Sequence, residues 1–336
     1  MGAPSVSASS PALLVALADD AASSAAVSVL EQLSSLGLRL HVGEQAGAER
    51  WFGRAALDAA AVRCGATMHG GEAVAAILLL GRADAEAEWR AAFPGTPILL
   101  HTADDSVSAA VARVARQVGT GVLRGCRVLV TAGPTVEHFD AVRFLSNPSS
   151  GKMGYAVAEA AWRAGAEVVL ISGPTALAAP YGVQRVGVTS AKEMHAAVLA
   201  ERHDLVFMAA AVSDYRPSVR APGKVKKSEG PWVLEMERTP DILADLSSSN
   251  ARPRWLVGFA AETEDLERYA RGKLVAKRLD GIVANDVGAG GAFGSDRNRV
   301  ECYDAAGGRL VLGPDSKQAV AAGIVAWAAA GLMRVG

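Results

Sequence analysis

At roughly 150 residues per domain, a chain of 336 residues has room for about two domains. Hydrophobic residues make up 50% of it but aromatics only 5%, so the apolar content is mainly aliphatic and suits helices laid on a sheet. With 34 Lys+Arg against 35 Asp+Glu the net charge is −1, which leaves no global basic field for nucleic acid or an anionic membrane and excludes both as expected partners. Cys64, Cys126 and Cys302 are far apart and lack metal-ligand spacing, which argues against a disulfide framework or a zinc site and for a cytoplasmic setting. Residues 1–11 are expected to be a flexible leader, since they lack the basic start and apolar core of a signal peptide.

In chain order, the apolar patterning predicts strands at 13–17 and 38–42 around a helix at 21–36. A strand at 75–80, a polar helix at 83–92, a strand at 97–101 and a helix at 107–118 follow. The glycine-punctuated stretch GTGVLRG (119–125) is a linker, so residues 12–121 are expected to form one small α/β domain and 122–336 another. The second half is expected to place strands at 127–131, 167–172, 205–209, 255–258 and 281–284. Its helices are expected at 152–164, 191–199 and 263–278, with a hairpin-like region at 232–237. Residues 319–333 are too short for a membrane span of roughly 20 residues and read as a docking helix. The fold class is therefore α/β: an open, mostly parallel Rossmann-like sheet in the C-terminal domain, preceded by a smaller flavodoxin- or receiver-like α/β domain. Such sheets bind ligands beyond the carboxyl ends of their strands, so the loops there are where chemistry is expected.

The first loop, TAGPTVEHFDAVRFLSNPSSGKMG (131–154), leads from a strand into a helix and offers either an anion site or a plain glycine-rich helix entry. It matches neither the dinucleotide fingerprint nor the P-loop. Asn147 brings an amide that can orient a carbonyl or phosphoryl oxygen. In the second loop, Met208, Ala209 and Ala210 give a base room near the backbone, and Asp214 is either a ligand or a helix cap. The third, GKVKK (223–227), is either a solvated face or a mobile lysine loop that closes on phosphates. Lys273 and Lys277, four residues apart on one helix face, suit neighbouring phosphates or simply solvent. The last, ANDVGAGGAFGSDRNRV (284–300), is a glycine-rich turn after a strand. Taken together, these loops fit a nucleoside triphosphate used for group transfer.

In order, VTAGPT, VRFLSNPSSGKMG, AAAVSDYRP, KVKK, TPDIL, VGFAAET, KLVAKRLD, IVANDV and FGSDRNRV closely resemble the phosphopantothenoylcysteine synthetase family, in bacteria usually the C-terminal half of a bifunctional coenzyme A biosynthesis protein. The resemblance is collinear over residues 127–327. It implies a CTP-dependent ligase that converts 4′-phosphopantothenate to an acyl-cytidylate and then couples it to L-cysteine. It also implies that Lys224 stabilises charge on the α-phosphate and that Asn147 holds the acyl-cytidylate. Met208, Ala209, Ala210, Asp214, Pro240, Asp241, Ile242, Leu243 and Phe259 would contact the nucleotide, with Lys273 and Lys277 on the triphosphate. Mg²⁺ (or Mn²⁺) bridging phosphates and a homodimer through the C-terminal domain are further implications.

Val136, His138, Ala141 and Pro148 depart from the family pattern, so the acid substrate is less firmly implied than the nucleotide. The N-terminal domain lacks the catalytic His, the PxMNxxMW-like segment and the clamp Cys of a decarboxylase half, so neither FMN nor decarboxylation is expected. Its faint likeness to a receiver domain rests on Asp19, Asp20 and TPILLHTADD. Two alternatives stay open: a related ligase for another acid and amine, and a nucleotide-binding regulator without turnover.

Overall fold

The computed structural model describes residues 12–17, 26–33, 38–44, 67–68, 74–80, 86–102, 106–119, 121–227, 229, 231–262, 265–286 and 296–335. Two compact units divide the chain, Met1–Gly121 and Val122–Gly336.

Among the described residues the first unit holds five parallel strands, β1 (Ala12–Leu17), β2 (Arg39–Glu44), β3 (Thr67–Met68), β4 (Ala76–Leu80) and β5 (Ile98–His101). With them are helices α1 (Ala26–Leu33), α2 (Glu86–Ala92) and α3 (Val107–Val118). Every residue of β1 and β4 is buried, as a central parallel strand covered on both faces requires. Leu13, Val15 and Leu17 face the core shared with α1 and α3, while Leu14 and Ala16 pack toward Trp89 and Phe93.

The expected α/β class holds, and the strand order is β3-β2-β1-β4-β5. Apart from the two-residue β3 at its edge, the order β2-β1-β4-β5 is that of the first four strands of a 2-1-3-4-5 flavodoxin-like sheet. The sequence did not signal β3, whose two residues leave no alternation to detect and which pairs outside β2. The leader, Asp19, Asp20 and Cys64 lie outside the described residues.

The second unit is an eight-stranded sheet. Six parallel strands form it, β6 (Arg127–Ala132), β9 (Glu167–Ser172), β10 (Gln184–Gly187), β11 (Leu205–Met208), β14 (Trp255–Glu262) and β15 (Gly281–Asp286). The antiparallel strands β16 (Arg297–Asp304) and β17 (Arg309–Ser316) extend it. Two short hairpins stand off the sheet, β7 (Val136–His138) with β8 (Phe144–Ser146), and β12 (Tyr215–Pro217) with β13 (Met236–Arg238). The helices are α4 (Lys152–Arg163), α5 (Ala191–Leu199), α6 (Ile242–Ser248), α7 (Leu266–Ala276) and α8 (Lys317–Arg334). Helix α8 buries Val320, Ile324, Val325 and Leu332, so the expected docking helix forms. None of the described helices is long and apolar enough to cross a membrane.

The sheet order is β10-β9-β6-β11-β14-β15-β16-β17. The chain runs outward from β6 through β9 to β10, then returns to start again at β11. That reversal leaves a crevice at the carboxyl ends of β6 and β11, the topological switch point where open α/β sheets take ligands.

Candidate functional site

Both walls of the crevice are tied together by backbone atoms and two threonines. Thr131 Oγ1 accepts from the Ala210 N–H at 3.1 Å, and Thr135 Oγ1 accepts from the Ser213 N–H at 3.0 Å. Both threonines are fully buried, so these bonds replace water that the loop cannot reach. Pro134 forms a parallel bridge with Ala211, and the Ala211 N–H donates to Gly133 O at 2.9 Å. Gly133 has φ +72°, a left-handed conformation natural for glycine, and this aims the chain back across β11.

Hairpin β7–β8 delivers Asn147 to this wall. Its Nδ2 donates to Ala211 O at 3.3 Å and Val212 O at 3.1 Å, leaving Oδ1 without a partner among the described residues. Ser146 Oγ secures the hairpin on Thr135 O at 2.8 Å. Beyond it, Gly151 (φ +75°) starts α4 without a side-chain cap. Lys152 is already engaged, its Nζ 2.6 Å from Asp296 Oδ1, and this pairing holds Asp296 below the ordinary carboxylate range.

Beyond β11 and β14 opens a cavity of about 520 Å³, within the usual size of small-ligand sites. Met208, Ala210, Asp214, Pro240, Asp241, Ile242, Leu243, Phe259, Lys273 and Lys277 line it, together with Val212, Tyr215, Arg238 and Thr239. Thr239 Oγ1 donates to Ser213 O at 2.6 Å and its N–H to Asp214 O at 3.0 Å, which fixes the lip under Asp214. Asp241 caps α6 through the Ala244 N–H at 3.0 Å and also pairs with Lys277. Lys273 Nζ donates to Phe259 O at 3.3 Å. The Asp214 carboxylate is exposed and has no partner among the described residues.

Ala209, Asn147 and Lys224 are not among the lining residues. Ala209 is half-buried between two that are, Asn147 stands on the crevice wall, and Lys224 is exposed on the strap that joins β12 to β13. Of Lys224, Lys226 and Lys227 in the GKVKK loop and the pair Lys273 and Lys277, the last two line the cavity. Of the 284–300 loop, residues 287–295 lie outside the described residues.

Two side chains the sequence did not single out hold the strap. Asp140, fully buried, accepts from the N–H groups of Val142 and Arg143, both at 2.7 Å, and from Val225 at 3.2 Å. Burial works against its charge, but those three N–H groups and the Arg143 guanidinium outweigh it and hold the carboxyl below its usual range. Arg143 also donates to Val225 O at 3.1 Å and lies over the Trp232 ring at 4.9 Å. Among the described residues no group of three or more His, Cys, Asp or Glu could hold a metal ion.

A family model described as the DNA/pantothenate metabolism flavoprotein C-terminal domain matches residues 123–332, most of the chain and nearly all of the second unit. The chain belongs to this family. Among its curated relatives, the coenzyme A biosynthesis bifunctional protein CoaBC of Vibrio parahaemolyticus is 46% identical over 204 residues, 59% of this chain and 51% of that protein. The CoaBC protein of Bacillus subtilis is 51% identical over 185 residues, 54% of this chain and 45% of its own length. The chain thus spans about half the length of the curated relatives it matches. A solved C-terminal domain of a CoaBC protein shares the family fold with a TM-score of 0.56 at 42% identity, covering 64% of this chain and 100% of that one. A Cab2 mutant solved in complex with phosphopantothenate-cysteine is 17% identical with a TM-score of 0.52, over 68% of this chain and 92% of its own, a likeness of fold alone.

Proposed function

We propose that the second unit is a CTP-dependent ligase that activates 4′-phosphopantothenate and couples it to L-cysteine, a step of coenzyme A biosynthesis. One observation carries this reading. The switch-point cavity brings Asp214, Phe259, Lys273, Lys277 and the segment from Pro240 to Leu243 together at a nucleotide-sized site, although they are spread along the chain. Membership of the family, and 42% identity to a solved CoaBC C-terminal domain, support it.

In the first step a carboxylate oxygen attacks the α-phosphorus of CTP, forming an acyl-cytidylate as pyrophosphate leaves. Lys224 would stabilise the charge developing on the α-phosphate. Lys273 and Lys277 would neutralise the triphosphate, Lys277 exchanging Asp241 for a phosphate oxygen. In the second step the cysteine amine attacks the acyl carbon, CMP departs, and the nitrogen loses its proton as the amide forms. Asn147, anchored through Nδ2, would turn its free Oδ1 toward the intermediate. Mg²⁺ or Mn²⁺, when bound, would supply positive charge to the phosphates. Asp214 offers it an unpartnered carboxylate, and no multi-ligand cage is present among the described residues. A homodimer through this unit belongs to the same reading, and sedimentation equilibrium tests it. No flavin step is assigned to the first unit.

A pyrophosphate-release assay with CTP, Mg²⁺, the acid and cysteine tests the proposal. Pyrophosphate should appear only with the acid, CMP should follow with cysteine, and Lys224→Gln should abolish both. Tight CTP binding with no CMP from any acid would instead mark a regulator without turnover.

A second reading, a related ligase for a different acid and amine, draws on one observation. Val136 and His138 lie on β7, Ala141 in the hairpin turn and Pro148 beside Asn147, and none of them is among the residues lining the cavity. Pyrophosphate release that ignores 4′-phosphopantothenate but answers to another carboxylic acid would favour it.

A further inference from the structure

The Lys224 ammonium has no partner among the described residues, and the backbone N–H groups of Lys224 and Lys226 make no hydrogen bond there. Val225, between them, is gripped at both backbone polar atoms, its N–H by Asp140 Oδ2 at 3.2 Å and its oxygen by Arg143 at 3.1 Å. Both grips come from the turn joining β7 to β8, the hairpin that carries Asn147. That turn also holds the strap at two other places. The Ala221 N–H donates to Phe139 O at 3.0 Å, and Trp232 packs edge-on to Phe139 at 5.2 Å and under Arg143.

We propose that Asp140 is a positioning residue for the ligase step: through the Val225 backbone, its buried carboxylate sets where Lys224 stands relative to Asn147. This rests on the role given to Lys224 above.

An ordinary turn would need Asp140 only for the N–H groups of Val142 and Arg143, which an asparagine at its start serves as well. The third donor, from a segment 85 residues away, is what the turn alone does not explain. A carboxylate with two oxygens can accept from all three, whereas an asparagine would aim its own NH₂ at one of them. With Val225 fixed, the Lys224 Cα is held about 3.8 Å away along the chain while its side chain stays free to follow the phosphate.

The experiment has two independent arms, both on the full chain. Hydrogen exchange on the unmodified protein should show the Val225 amide protected at least about tenfold over those of Lys224 and Lys226; equal exchange overturns the proposal whatever the enzyme's activity. In the second arm, Asp140→Asn should abolish that protection and speed tryptic cleavage after Lys224. It should also lower the kcat of pyrophosphate release about tenfold or more while leaving KM for CTP unchanged, because the cavity lining is untouched. Loss of protection with kcat intact overturns the positioning role. An unmodified protein that releases no pyrophosphate with any acid removes the ligase reading instead, and the exchange arm then still decides whether the latch exists.

Discussion

Asp241 serves two partners at once: it caps α6 through the Ala244 N–H and pairs with Lys277 of the neighbouring helix segment at the cavity mouth. On the proposed function, a triphosphate entering there would have to take Lys277 from this carboxylate, so Asp241 would compete with it for the same cation.

That competition gives opposite outcomes for the two partners. Asp241→Asn keeps a good capping side chain and frees Lys277, so CTP should bind at least as tightly while stability is unchanged. Asp241→Ala also frees the lysine but loses the cap, at a cost of about 1 kcal/mol. Lys277→Gln should weaken CTP about tenfold, the scale of one lost charge-assisted hydrogen bond. Titration calorimetry with CTP and urea denaturation separate the three.

For Asn147 the expected effect falls on the second step. Asn147→Asp replaces the Nδ2 donor with a carboxylate oxygen facing the carbonyls of Ala211 and Val212. Pyrophosphate should still be released with the acid, while CMP release and amide formation should fall about tenfold or more. Rapid-quench measurement of both products checks it, and equal loss in the two steps would remove the assignment.

Strongly periodic segments were legible in the sequence. Helices α3 and α5 and strand β9 span the expected residues, because alternation or a 3.6-residue stripe marks each. Elements without a local apolar period were not. Strands β16 (RNRVECYD) and β17 (RLVLGPDS) carry charged residues, and β17 a Gly-Pro, so they read as loop until paired with each other. Helix α6 has only seven residues, too few to show a stripe, although Asp241 could have been recognised as its cap. At the candidate site, the residues proposed to meet the nucleotide came from spaced motifs. Asp140, Arg143, Thr131 and Thr135 act on backbone atoms about 80 residues away, and nothing local in the sequence signals that.

The Glu301–Tyr303 pair is expected to shape the pH dependence of stability from both sides. Glu301 is buried, and the Tyr303 hydroxyl at 2.7 Å, with Arg309 and Arg299, holds it below the ordinary carboxylate range despite burial. A lowered carboxylate contributes stability above its unfolded value and loses it as the pH falls through the lowered one, so this part fades in acid. Tyr303 is pushed up to about 12, first by burial and then by Glu301. Its contribution is complete below its ordinary value of 10.0 and is lost as the pH rises toward about 12. Tyr303→Phe should cost about 1.5–3 kcal/mol at neutral pH, the range for a hydrogen bond to a charged group, and should flatten part of the alkaline decline. The decline that remains belongs in part to Cys302, whose buried thiol is also pushed up to about 12. Urea midpoints measured from pH 4 to 12 test the pair, and an unchanged alkaline limb in Tyr303→Phe would contradict the assignment.

Gly173 tests whether the crevice wall is a single mechanical unit. A Cβ added there would lie 1.7 Å from Pro134 O, a backbone atom with no side-chain freedom to yield. Gly173→Ala should therefore push the Gly133–Pro134 turn away from β9 and cost about 3 kcal/mol, the upper end of the usual overpacking range. The turn carries the Ala211 bridge, and Ala211 O is one of the two anchors of Asn147, so the displacement should reach the second step of the reaction. Gly187→Ala is the control, because nothing lies within 4 Å of its added Cβ. Denaturation should separate the two variants clearly. At a temperature where both stay folded, CMP release should slow in Gly173→Ala alone, whereas CTP affinity should hold, since Gly133 and Pro134 are not among the residues lining the cavity.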